Sequence, residues 1–215
     1  AKHNKVFSID ELIRFWGAIY KRYSSVSIDI IGGEPFLYPD FTDIVKEISK
    51  FHTISIVTNL SSDVKRFTEA IDPSRVKLSP TYHPLFANMD SFLEKMRLLK
   101  DTGFGSKVSY LSYPGQLGLL DFYRKIFEDN NFSFVTHSFW GEYKGVSYPQ
   151  GYNNEEKEII DRNLLTKGDE KLQLEPKRID KAKLCRAGQI YAVIHPDGRI
   201  CRCGNAPFEE TLGNI

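Results

Sequence analysis

The chain has 215 residues, 27% of them charged and 13% aromatic, with a formal net charge of +1. That length allows one substantial core and a small appendage, and the near-neutral balance gives no electrostatic ground for binding nucleic acid or an anionic membrane. No apolar run approaches about 18 residues and the opening AKHNKVFSIDEL has no signal-peptide core, so no bilayer span is predicted and a cytoplasmic location is expected.

Ser8 and Glu11 form a capping-box pattern, and Ile9, Leu12, Ile13, Trp16, Ile19 and Tyr20 follow at helical spacing, which predicts a helix over 9–23. Val26, Ile28 and Ile30 alternate as a strand that ends at Gly32-Gly33. Asp40 is expected to cap a second helix with the stripe Phe41, Ile44, Val45, Ile48 and Phe51. Ile54, Ile56 and Val57 predict a strand closed by Thr58-Asn59, and Ser62 is expected to open a helix with Val64, Phe67 and Ile71 inward. RVKLS reads as a short strand ending at Ser79. Phe92, Leu93, Met96 and Leu99 mark a fourth helix stopped by Gly103, and KVSYLSY and FSFVTHSF read as strands around a helix over 119–128. Strands that alternate with amphipathic helices predict an α/β protein with a parallel sheet, whose ligands bind at the carboxyl ends of the strands.

Beyond Trp140 the pattern breaks. Residues 141–154 read as a loop, followed by a short charged helix and a polar linker. IYAVI-HPDG-RICRC then predicts a hairpin around a Pro-Asp-Gly turn. The three cysteines, Cys185, Cys201 and Cys203, all fall in this last segment, a clustering that points to metal or redox chemistry rather than to a structural disulfide. Three segments are expected: a βα unit over 1–140 (open sheet or barrel), a loop, short helix and linker over 141–180, and a cysteine segment over 181–215.

Gly32, Gly33, Glu34 and Pro35 stand where a strand gives way to a helix pattern. As structure alone, two glycines permit positive φ and Pro35 ends the strand. As chemistry, the missing side chains admit a ligand to the backbone, and Glu34 offers an anionic acceptor to an ammonium group. No Walker-type lysine is nearby to favour a phosphate. His83 and His137 lie near strand ends and read as polar lining. His52 reads as a solvated residue at a helix end. The aromatics Phe132, Phe134, Phe139, Trp140 and Tyr143 read as core and barrel-mouth packing.

IDIIGGEPFLYPDF followed by ISIVTNLS resembles the radical S-adenosylmethionine (radical SAM) superfamily over roughly residues 8–140. The resemblance implies a partial parallel (βα)6 barrel in which Gly32, Gly33, Glu34, Pro35, Thr58, Asn59 and Ser79 hold S-adenosylmethionine. It also implies a 4Fe–4S cluster that cleaves this cofactor reductively, yielding a 5′-deoxyadenosyl radical that abstracts hydrogen. The implied partners are a peptide or small-molecule substrate and a reductant such as ferredoxin or flavodoxin. The family's Cys-x3-Cys-x2-Cys cluster loop is not in the sequence, so the chain is expected to be a fragment whose first strand and cluster loop lie upstream of Ala1. CRAGQIYAVIHPDGRICRC resembles the start of the family's SPASM or twitch extension, which implies Cys185 and Cys203, with Cys201 replacing or assisting, as ligands of an auxiliary iron–sulfur cluster. The alternative reading is a degenerate, non-catalytic barrel with a zinc-stabilised tail.

Overall fold

The computed structural model describes residues 6–162, 186–204 and 210–215. Helix α1 (Ile9–Tyr23) starts on the expected reciprocal cap: Ser8 Oγ accepts from the Glu11 N–H, and the Glu11 side chain accepts from the Ser8 N–H. After it, β1 (Ser27–Ile30), β2 (Thr53–Thr58), β3 (Val76–Tyr82), β4 (Lys107–Ser112) and β5 (Ser133–Ser138) form one sheet in the order β1-β2-β3-β4-β5. Every pair in it is parallel. Between the strands lie α2 (Phe41–Ser49), α3 (Lys65–Ala70), α4 (Met89–Asp101) and α5 (Leu120–Asp129). The fold is therefore α/β, and the described strands form an open sheet rather than a closed barrel.

Sequential parallel order with crossovers of one hand gathers the helices on one face. Ile54, Ile56, Val76, Leu78, Val108, Tyr110 and Phe134 point to that face and join Val45, Ile48, Phe67, Met96, Leu99 and Phe127 in a single core. The alternate residues, Asp29, Ser55, Lys77, Ser79, Thr81, Ser109 and His137, face the other way and take no part in the apolar core. A doubly wound sheet would bury both faces in apolar residues; this sheet's second face is mostly polar, with Val57, Leu111 and the buried Val135 among its residues.

Several local expectations change. Asp40 precedes α2 in a left-handed conformation (φ 53°) and makes no side-chain cap, and Phe51 lies beyond the helix end, 38% exposed. Helix α3 begins at Lys65, whose N–H is accepted by Asp63 Oδ1, so Ser62 does not open it. Strand β3 continues three residues past Ser79 to Tyr82. His52 is fully buried: Nδ1 accepts from the Val26 N–H and Nε2–H donates to the Trp16 carbonyl, both at 3.1 Å, pinning the entrance of β1 to α1.

Residues 141–154 are not all loop. β6 (Gly141–Tyr143) and β7 (Val146–Tyr148) pair as a hairpin, turned by Lys144 (φ 52°) and Gly145 (φ 77°). α6 (Asn154–Arg162) follows. Just before it, the buried Tyr152 hydroxyl donates to the Ser112 carbonyl and accepts from the Phe139 N–H, joining the ends of β4 and β5. Burial pushes its phenol up to about 12. Phe132 and Phe134 are core as expected, whereas Trp140 is 61% exposed.

The cysteine segment forms its hairpin with shorter strands than expected, β8 (Val193–Ile194) and β9 (Arg199–Cys201), and adds β10 (Thr211–Asn214) on the far side of β9. No helix among the described residues is long and apolar enough to cross a membrane.

Candidate functional site

Three strand ends build the site. β1 runs out into Gly32 (φ 86°) and Gly33 (φ 51°), a left-handed pair that side chains rarely adopt. A Cβ on either would meet no atom within 4 Å, so the backbone here is open to close approach. Glu34 caps the 3₁₀ turn 35–37 through its own side chain, and Pro35 is buried at the first position of that turn.

The Glu34 carboxylate then crosses to β2. Oε1 accepts from the Thr58 hydroxyl at 2.8 Å and from the Phe36 N–H at 3.3 Å, and Oε2 accepts from the Asn59 N–H at 2.8 Å. Thr58 Oγ1 in turn accepts from the Leu60 N–H at 3.0 Å. Thr58 is 2% exposed, so the bridge is sheltered and its bonds to a charged acceptor are strong ones. Leu60 takes a left-handed conformation (φ 53°), and its carbonyl accepts from Lys95 Nζ of α4 at 2.6 Å. Gly32, Gly33, Glu34, Pro35, Thr58 and Asn59 thus form one cluster.

Ser79 sits apart from that hydrogen-bonded knot. It lies inside β3 opposite Val57, on the polar face of the sheet, and is half-buried. The end of β3 instead delivers His83. Burial lowers the His83 pKa, and the Glu34 carboxylate partly opposes that shift. His137, on the polar face beside Ser109 Oγ at 3.3 Å, is lowered by burial and by the Lys107 charge. Unfolded chains bind a proton at these imidazoles near pH 6.5, before the folded protein does. Stability is thus fully present above that pH and is lost as the pH falls through the depressed values. The urea midpoint should drop between about pH 7.5 and about pH 5, and the drop should shrink in H83N and H137N variants.

The cysteines are only partly placed. Cys201, at the end of β9, is buried as a free thiol; Cys203 is half-buried in the bend beyond the strand. Cys185 lies outside the described residues. Among the described residues, no three His, Cys, Asp or Glu side chains converge as a metal site.

Sequence reasoning missed Lys95, Asn88 and Ser91 of α4. Lys95 meets Leu60 across 35 positions, a contact that no local spacing announces. Compared with known protein families and with curated proteins, the chain matches none.

Proposed function

We propose that the chain holds the methionyl end of S-adenosylmethionine for a radical SAM enzyme. The observation that carries this reading is the Glu34 bridge: the two motifs behind the resemblance, Gly-Gly-Glu-Pro and Thr-Asn, are one hydrogen-bonded unit. A carboxylate has about four acceptor positions, and three are taken here. Glu34 therefore acts chiefly as the tether that holds the Gly32-Gly33 backbone against the end of β2. Its remaining lone pair and the glycine carbonyls are acceptors suited to an ammonium, and the open space around both glycines suits a ligand lying on the backbone.

When bound and cleaved by one electron from a reduced iron–sulfur cluster, S-adenosylmethionine supplies a radical that abstracts hydrogen from a substrate. The Glu34, Thr58 and Asn59 knot is assigned binding and orientation of that cofactor.

The test uses the full-length protein, reconstituted anaerobically and reduced, with 5′-deoxyadenosine as the readout. Product is expected from the full-length protein and none from the 215-residue chain alone. A reading frame without Cys-x3-Cys-x2-Cys ahead of Ala1, or product formation by the isolated chain, would overturn the proposal.

A further inference from the structure

Beside the Glu34 knot, between the β2–α3 and β3–α4 connections, lies a cavity of about 440 Å³. Its wall carries Asn59, Ser61, Asn88, Ser91 and Lys95, with no Asp or Glu among its lining residues. What matters is which of their polar atoms are already committed. Asn59 Oδ1 accepts from the Ser61 N–H at 2.7 Å, and Asn88 Oδ1 accepts from the Ser91 N–H at 3.0 Å as the cap of α4. Each amide oxygen thus accepts from the backbone, and each amide can turn its NH2 donors toward the cavity. Lys95 Nζ gives two of its three protons to the Leu60 and Ser61 carbonyls and keeps one. Two hydroxyls and the His83 imidazole complete a wall that is rich in donors and carries one lysine cation.

His83, whose pKa burial lowers, is the remaining polar lining residue, and the rest is apolar. Leu60, Ala87 and Phe92 form the inner wall, and Phe86, 89% exposed, stands at the lip. The volume exceeds what a lone inorganic anion fills and falls in the range of small-molecule sites.

We infer that this cavity binds a small organic anion, a carboxylate or phosphate borne on an apolar or aromatic body, as a ligand separate from the one at Gly32–Glu34. The oxygens meet Lys95 Nζ, Asn88 Nδ2 and the hydroxyls of Ser61 and Ser91, and the body lies along Phe92 beneath Phe86. The inference stands whether or not S-adenosylmethionine is the ligand of the neighbouring cluster.

Amide chemical shifts of the chain, titrated with phenylacetate, phenyl phosphate and neutral phenylacetamide, test it. At least one anion should produce saturable shifts at Ser61, Asn88 and Ser91, with phenylacetamide weaker by about tenfold or more. Comparing the two anions tells carboxylate from phosphate. The N88D variant keeps a good helix cap while placing a negative charge in the wall, so it should fold with an unchanged urea midpoint and lose about tenfold or more in anion binding. K95M should lose binding similarly, with K95R restoring it. Equal binding of the neutral amide, no saturable shift with either anion, an unaffected N88D, or displacement of the bound anion by S-adenosylmethionine would overturn the inference.

Discussion

Glu34→Ala is expected to cost about 2 kcal/mol of stability and to abolish S-adenosylmethionine binding in the full-length protein. A strand-end carboxylate looks dispensable to the fold from sequence alone, but here it accepts from Thr58, Asn59 and Phe36. Its removal leaves a buried hydroxyl and a strand-end N–H without their acceptor. Glu34→Gln should recover only part of the loss, because one oxygen becomes a donor facing other donors. Thr58→Val removes the partner hydroxyl at nearly constant volume. A double-mutant cycle between Glu34→Ala and Thr58→Val by urea denaturation should therefore return a coupling of about 1 kcal/mol. Additive single effects would show that the bridge contributes nothing, and unimpaired binding by Glu34→Ala in calorimetry would remove Glu34 from the ligand site.

Gly198→Ala is expected to be the most disruptive single-methyl change in the cysteine segment. Gly198 closes the β8–β9 turn at φ 88°, and a Cβ there would lie 2.4 Å from Phe7 Cζ. Left-handed strain costs about 1–2 kcal/mol, and displacing a packed ring adds about 1–3 kcal/mol. Phe7 cannot yield freely. It is 6% exposed, its N–H donates to the Tyr38 hydroxyl at 2.7 Å, and that hydroxyl donates back to the Phe7 carbonyl at 3.2 Å. Tyr38 also closes the 3₁₀ turn that Glu34 opens, so the hairpin and the Gly-Gly-Glu-Pro loop share one aromatic prop. The change should lower the urea midpoint and speed alkylation of the buried Cys201 thiol. A Phe7→Leu background should lessen both effects. An unchanged midpoint with Cys201 still protected would mean that the turn does not rest on Phe7.

Most of the fold was legible because it is written in local periodicity. The stripe Phe92, Leu93, Met96, Leu99 and the alternation Ile54, Ile56 each point to one face of one element, and the core formed as they indicate. What was lost lay at the edges, where backbone geometry and distant partners decide. His52 looked like a solvated residue at a helix end, yet partners at Trp16 and Val26 satisfy both ring nitrogens and allow its burial. RVKLS stopped short because Pro80, which cannot donate to a ladder, reads as a strand end, yet it pairs opposite Thr58 inside β3. The hairpin after Trp140 was signalled only by Lys144-Gly145, a weaker turn signature than Asn-Gly. At the site, the motif residues could be named in advance, but their joining into one bridge, and the donor-rich wall beside it, depend on contacts more than twenty positions apart.

The strand order has a consequence for how the protein assembles. Because neighbours in the sheet are neighbours in sequence, each parallel pairing closes a loop of only about 22 to 28 residues, as from Ser27 to Thr53 or from Lys107 to Ser133. Closing such a loop costs about 3 kcal/mol in chain entropy, nearly the same at every step. The sheet can therefore grow from any adjacent pair and extend one unit at a time, without waiting for a distant strand. The meeting of Phe7 with Gly198 spans the largest sequence separation described here. It becomes favourable only once the sheet between them has drawn the two ends together, which makes the docking of the cysteine hairpin a late event in folding.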